Sequence, residues 1–162
     1  MDLVDAALVD VFRKLSHGQA AWPLFLYGTV GTGKTCAALA LSDLVVTDWF
    51  GTVENAIDVI MQRDTRRWES DPAMRCFNPP PAGSSPLVVL DEVGARQKVS
   101  DLAYATIKGF ADIRELDFGR VAIYISNLEP DAISRVYDDR IASRLLCGTW
   151  YKLEGSDRRM GQ

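Results

Sequence analysis

Gly28-Thr29-Val30-Gly31-Thr32-Gly33-Lys34-Thr35 fits the pattern G-x-x-x-x-G-K-[ST] in full. It stands between the apolar run Leu24 to Tyr27 and the helix-prone run Cys36 to Leu44, the strand-before, helix-after setting in which such a loop binds phosphate. Its glycines let backbone N–H groups turn inward into a concavity suited to the α- and β-phosphates of a nucleotide, and the helix that begins there adds the positive end of its dipole. Lys34 is placed to reach the β- and γ-phosphates, and Thr35 to offer its hydroxyl to Mg²⁺. Cys36 follows directly and is a nucleotide contact by position, although a small buried filler is the commoner role for such a thiol.

Leu87-Val88-Val89-Leu90 followed by Asp91-Glu92 supplies the second group of chemistry-bearing residues. Four apolar residues predict a strand buried on both faces, and the acids fall at its carboxyl end, where open α/β sheets bind ligands. Asp91 is suited to Mg²⁺, and Glu92 to polarising the water that attacks a γ-phosphate. The strand-like run 120 to 127 ends in Ser126-Asn127. An amide at the tip of a strand beside the acidic one can touch the γ-phosphate, but with Pro130 following, the same pair also reads as the start of a helix from Asp131 to Tyr137. Arg140 and Arg144, at i and i+4, share one face of a short helix with Ile141 and Leu145 on the adjoining face. They could pair with Asp138 and Asp139, or one could project into a neighbour's nucleotide.

The remaining segments must position these groups. Val4, Leu8, Val11 and Leu15 predict a leading amphipathic helix ended by Gly18. Thr35 to Leu44 predicts a helix, and Val45 to Trp49 either a strand or that helix's continuation. Thr52 is a candidate N-cap for a helix carrying Val53, Ile57 and Ile60. Ala103, Ile107, Phe110 and Ile113 mark a helix that closes near Phe118-Gly119, and Trp150 to Leu153 a final edge strand. Ala20-Ala21-Trp22 could line a base pocket, with a core or edge aromatic as the plainer role of Trp22. The stretch 62 to 78 interleaves Arg63, Arg66, Arg67 and Arg75 with Trp68, Met74 and Phe77, a composition that can hold single-stranded DNA. Asp64, Glu69 and Asp71 in the same stretch suit a solvated helix face equally well. Asn78 to Pro86 reads as a loop. The alternation of strands and helices predicts an α/β fold with a parallel sheet between two helical layers.

A chain of 162 residues, 48% hydrophobic and 25% charged, is one domain's worth of globular protein. A net charge of −4 leaves any nucleic-acid contact local rather than a matter of bulk charge. No apolar run approaches the roughly 20 residues of a bilayer span and the first residues lack a basic leader, so a cytoplasmic location is expected. Cys36, Cys76 and Cys147 have no metal-type spacing and their odd number argues against a disulfide framework.

Taken together, residues 20 to 160 resemble the AAA+ ATPases, and among them the DnaC helicase loaders and related IstB transposition helpers. Gly28 to Thr35 corresponds to Walker A, Leu87 to Glu92 to Walker B, Ile123 to Leu128 to the sensor 1 strand and Asp139 to Leu145 to box VII. The resemblance implies a three-layer P-loop core that binds ATP and Mg²⁺, with Asn127 as sensor 1, Arg144 as an arginine finger acting in trans and Arg140 as its companion. It implies an intersubunit ATPase that self-associates and works with a replicative helicase or another replication or transposition protein. The ending, Tyr151 to Arg159, is also similar to that of such loaders.

Only 27 residues precede Gly28, so a counterpart of the loaders' amino-terminal helicase-binding domain is expected to be missing, through truncation or because the native protein is compact. A helical lid and its sensor 2 arginine are likewise not expected after the last strand, as in DnaC-like proteins. The expectation is one domain, 1–162, made of a leading helix, 1–18, and a P-loop core, 19–162, of a compact phage or mobile-element type. An ATP-dependent switch on a transposase or helicase with little turnover is the main alternative. A P-loop small-molecule kinase also fits the length, but leaves Asn127 and Arg144 without roles.

Overall fold

The computed structural model describes residues 5–61, 86–96, 98–117 and 121–155, with only the backbone of 115–117. Its elements are α1 (Ala6–Ser16), β1 (Leu24–Tyr27), α2 (Lys34–Ser42), β2 (Thr47–Thr52), α3 (Val53–Met61), β3 (Leu87–Val93), α4 (Asp101–Asp117), β4 (Ala122–Ser126), α5 (Pro130–Val136), α6 (Asp139–Leu146) and β5 (Thr149–Lys152). The strands form one sheet in the order β2-β3-β4-β1-β5, and every pairing is parallel. Parallel neighbours need crossover connections, and the helices supply them.

Alternation along the strands divides the core. Leu24, Leu26, Leu87, Val89, Ile123 and Ile125 face α1 and α2, while Phe25, Val88, Leu90 and Tyr124 face α3, α4 and α6. The result is the three-layer α/β sandwich that the sequence predicts. Its order brings the carboxyl ends of β1, β4 and β3 side by side, and those ends carry the phosphate-loop pattern, Asn127 and the acidic pair.

Several local expectations are corrected. In α1, Leu8, Phe12 and Leu15 are the buried residues and Val11 is only half-buried; Val4 lies outside the described residues. Helix α2 stops at Ser42, two residues before Leu44, and β2 begins at Thr47. Thr47 Oγ1 donates to the Ser42 carbonyl at 2.9 Å and the Leu87 amide to the Val46 carbonyl at 2.9 Å, which fixes the turn and the start of pairing. Thr52 does cap α3: its Oγ1 accepts from the Asn55 amide at 3.1 Å while Asn55 Oδ1 accepts from the Thr52 amide at 2.9 Å. In α4 the periodicity points to Ile113, yet Arg114 is the buried residue, its guanidinium 5.7 Å from the centre of the Phe110 ring and donating to the Pro86 carbonyl at 3.4 Å. Trp22 stands just before β1, at the sheet edge opposite the phosphate loop, edge-on to Phe12 at 5.9 Å. It packs, half-buried, against the core on the side of α1 and α2.

The edge strand β5 is tied to α1 by the Tyr151 hydroxyl, which donates to Asp5 Oδ2 at 2.5 Å, while Asp5 Oδ1 caps the Ala7 amide at 3.0 Å. Burial and then this bond push the Tyr151 phenol up to about 12. A folded pKa above the unfolded value near 10 means the contribution is complete below pH 10 and is lost as pH rises through 12. The parent chain is expected to lose thermal stability between those pH values, and Tyr151→Phe to lose less. Thermal melts across pH 9 to 12 check this, and equal slopes for the two chains would contradict it.

Candidate nucleotide site

The last residue of β1, Tyr27, leads into Gly28 at φ +149°, where any Cβ would collide with the Leu153 carbonyl of the segment leaving β5. Only glycine lets the loop start beneath that carbonyl. Thr32, buried, braces the loop by donating to the Thr29 carbonyl at 2.9 Å. Gly33, at φ +89°, occupies the N-cap of α2 and contributes no side chain to cap the helix. The first amides of α2 are thereby left to a phosphate. Lys34, only 6% exposed, folds its Nζ back onto the Gly28 and Thr29 carbonyls at 2.9 and 2.7 Å, a cation held over the loop it would share with an anion. Val30 is exposed on the loop's outer side.

Thr35 Oγ1 donates to Asp91 Oδ2 at 2.6 Å, joining the phosphate loop to the end of β3 across 56 residues of sequence. A hydroxyl and a carboxylate in contact are the hard-oxygen pair that Mg²⁺ takes from protein when phosphate oxygens and waters complete its shell, so the donor chemistry fits that ion. Among the described residues no group of three or more His, Cys, Asp and Glu forms an all-protein cation cage. Cys36 is exposed in the first turn of α2, so the buried-filler role does not hold for it.

Beside Asp91 the ladder breaks. Leu90 pairs with Tyr124 and Val93 with Ser126, so β3 carries one residue more than β4 over this interval. The extra residue bulges the strand, and Glu92 takes φ +60°, a left-handed conformation rare outside glycine. Asp91 stays buried while Glu92 is exposed at the sheet's rim. Asn127 follows the last residue of β4, exposed at the end of the strand adjoining β3.

The arginines are placed differently. Arg140 is exposed in the first turn of α6. Arg144 is 22% exposed and ion-paired through Nη1 with Asp112 of α4. Asp138 instead caps α6 by accepting from the Ile141 amide at 2.8 Å and accepts from the Tyr104 hydroxyl at 2.6 Å; the helix amide first and Tyr104 second hold its carboxyl below the usual range. Arg63, Arg66 and Arg67 lie outside the described residues.

A pocket of about 90 Å³ adjoins Glu92 and is lined by Val53, Arg96, Lys98, Ser100 and Tyr137 among others. Arg96 is ion-paired there with Glu54 of α3. The sequence gives no hint of this pocket, because its walls come from α3, the segment after β3 and the end of α5. Ser126 and Tyr137 are the residues beside the site that motif reading passes over. Ser126 was visible only as a polar partner of Asn127, and Tyr137 only as the end of a helix.

The folded loop, the joined hydroxyl and carboxylate and the parallel order define a P-loop α/β protein with its site at the carboxyl edge of the sheet. No protein-family model matches the sequence, and no curated protein matches it. Solved structures narrow the fold. AMPPCP-bound DnaA from Aquifex aeolicus superposes with a TM-score of 0.68 at 18% identity, over 95% of this chain and 48% of that one. The DnaC helicase loader superposes with a TM-score of 0.68 at 15% identity, over 91% of this chain and 89% of that one. Domain III of Thermotoga maritima DnaA gives 0.61 at 17%, over 97% and 66%. The chain thus spans about half of the Aquifex aeolicus DnaA chain and most of the DnaC loader chain, and it shares the fold of the parts that superpose.

Proposed function

We propose that the chain binds MgATP in the loop Gly28 to Thr35 and hydrolyses it as an AAA+ protein of DNA replication, acting as a helicase loader with a site shared between subunits. The observation that carries this reading is the 2.6 Å contact of Thr35 with Asp91, with Glu92 bulged out beside it and Asn127 on the next strand. The likeness to a DnaC helicase loader and to DnaA bound to AMPPCP, in one case with single-stranded DNA, supports the setting.

In the hydrolytic step Glu92 takes a proton from water as the water oxygen bonds to the γ-phosphorus and the bond from that phosphorus to the bridging oxygen breaks, leaving ADP and phosphate. Lys34 and the first amides of α2 neutralise charge on the phosphates, and Asn127 donates to a γ-oxygen. Thr35 and Asp91 would hold Mg²⁺, which supplies positive charge to the phosphate oxygens.

Arg144 is assigned to the neighbouring subunit's nucleotide. To serve there its guanidinium must exchange Asp112 for a phosphoryl oxygen, so the isolated chain should turn over slowly. This pairing also favours a second reading, a nucleotide-dependent switch with little turnover. Sizing by light scattering, with and without MgATP, tests the assignment. The parent chain is expected to associate with MgATP, and Arg144→Ala to associate without gaining turnover. A parent chain that stays monomeric at all concentrations with MgATP bound would overturn the shared site.

A further inference from the structure

The peptide groups around Glu92 are bonded on both sides. The Glu92 amide donates to Asp91 Oδ1 at 2.7 Å, and the Glu92 carbonyl accepts from the Ala95 amide at 3.1 Å. The next two groups reach other elements. Ser126 Oγ donates to the Val93 carbonyl at 2.6 Å, and the Gly94 amide donates to the Tyr137 hydroxyl at 2.8 Å. Ser126 Oγ also accepts from the Leu128 amide at 3.0 Å, so a single buried hydroxyl joins Val93 of β3 to the residue that follows Asn127. Leu128 in turn packs on Gly94, where an added Cβ would meet its Cδ1 at 2.7 Å.

We propose that Ser126 and Tyr137 are positioning residues for the hydrolytic step: they clamp Val93 and Gly94 so that Glu92 keeps its left-handed backbone, and Ser126 couples the position of Asn127 to that of Glu92. The proposal rests on the ATPase reading above. A left-handed non-glycine residue persists only where its surroundings over-determine it, and these four hydrogen bonds are those surroundings. Both hydroxyls belong to largely buried side chains, Ser126 1% and Tyr137 9% exposed. Without either one a backbone group beside the general base loses its partner and the bulge relaxes. A γ-phosphate that draws on Asn127 would move Ser126 with it, and through Val93 the carboxylate of Glu92.

The test compares Tyr137→Phe, Ser126→Ala and Ser126→Thr with the parent chain. Displacing a reacting group by an ångström costs on the order of a hundredfold in rate, so kcat is expected to fall about tenfold to a hundredfold in Tyr137→Phe and Ser126→Ala. KM for MgATP should stay within about twofold, because the phosphate loop is untouched, and Ser126→Thr, which keeps the hydroxyl, should recover most of kcat. Independently of turnover, the Gly94 amide should exchange slowly with solvent in the parent chain and fast in Tyr137→Phe. Parent-like kcat in both hydroxyl-deleted variants, or a rise in KM with kcat unchanged, overturns the proposal and leaves the ATPase reading standing. Absence of turnover in the parent chain overturns that reading, and the proposal with it.

Discussion

Glu92→Gln is expected to bind MgATP as the parent chain does and to hydrolyse it about 10²- to 10⁴-fold more slowly, the usual range for removing a positioned general base. The amide keeps the size and the hydrogen-bonding shape of the carboxylate but cannot accept the proton that water must lose. Three features make this substitution a clean test. Glu92 is exposed, so the change creates neither a cavity nor a buried unpaired group. Its backbone is held by groups that do not involve its side chain, so the bulge should survive. The Mg²⁺-type pair, Thr35 with Asp91, is also untouched. Single-turnover phosphate release alongside equilibrium binding of MgATP separates the two effects. Loss of binding in step with turnover would mean that Glu92 holds nucleotide rather than activating water.

Lys34→Ala should produce the opposite pattern, a loss of affinity. Hydrogen bonds to charged groups contribute about 1.5–3 kcal/mol each, so removing the ammonium should weaken MgATP binding by roughly 10- to 150-fold. That ammonium, on a side chain only 6% exposed, is bonded to the Gly28 and Thr29 carbonyls. The substitution therefore also frees those carbonyls to water. Fluorescence titration with a labelled ATP measures the affinity, and a thermal melt shows whether the fold is retained. Parent-like affinity in a folded Lys34→Ala chain would show that nucleotide, if bound, lies elsewhere.

The placement of the two motifs was legible because each is local in sequence. Gly28 to Thr35 and Leu87 to Glu92 each combine an apolar strand with a polar end, and the structure joins them through Thr35 and Asp91 as that reading requires. Sheet order was partly legible: alternating elements implied parallel strands, and the strand that ends just before Asn127 does lie beside the acidic one.

Long-range side-chain contacts were not legible. Arg144 reads as a partner of the nearby Asp138 and Asp139 or as a projecting residue, whereas its ion pair is with Asp112, on another helix 32 residues earlier. Arg114 falls at a core position of α4 because its guanidinium can lie over Phe110 and reach a carbonyl, which hydrophobic periodicity cannot count. The bulge at Glu92 leaves no trace in residue types, since a left-handed glutamate is set by its neighbours' hydrogen bonds. Trp22 was ambiguous until the strand direction placed it at the far edge of the sheet.

The most direct measurement is steady-state phosphate release from MgATP over a series of protein concentrations. Hydrolysis in a shared site predicts release that rises more steeply than in proportion to protein and that is abolished by Glu92→Gln. MgATP binding with no release above background at any concentration would contradict it and leave the chain a nucleotide-dependent switch.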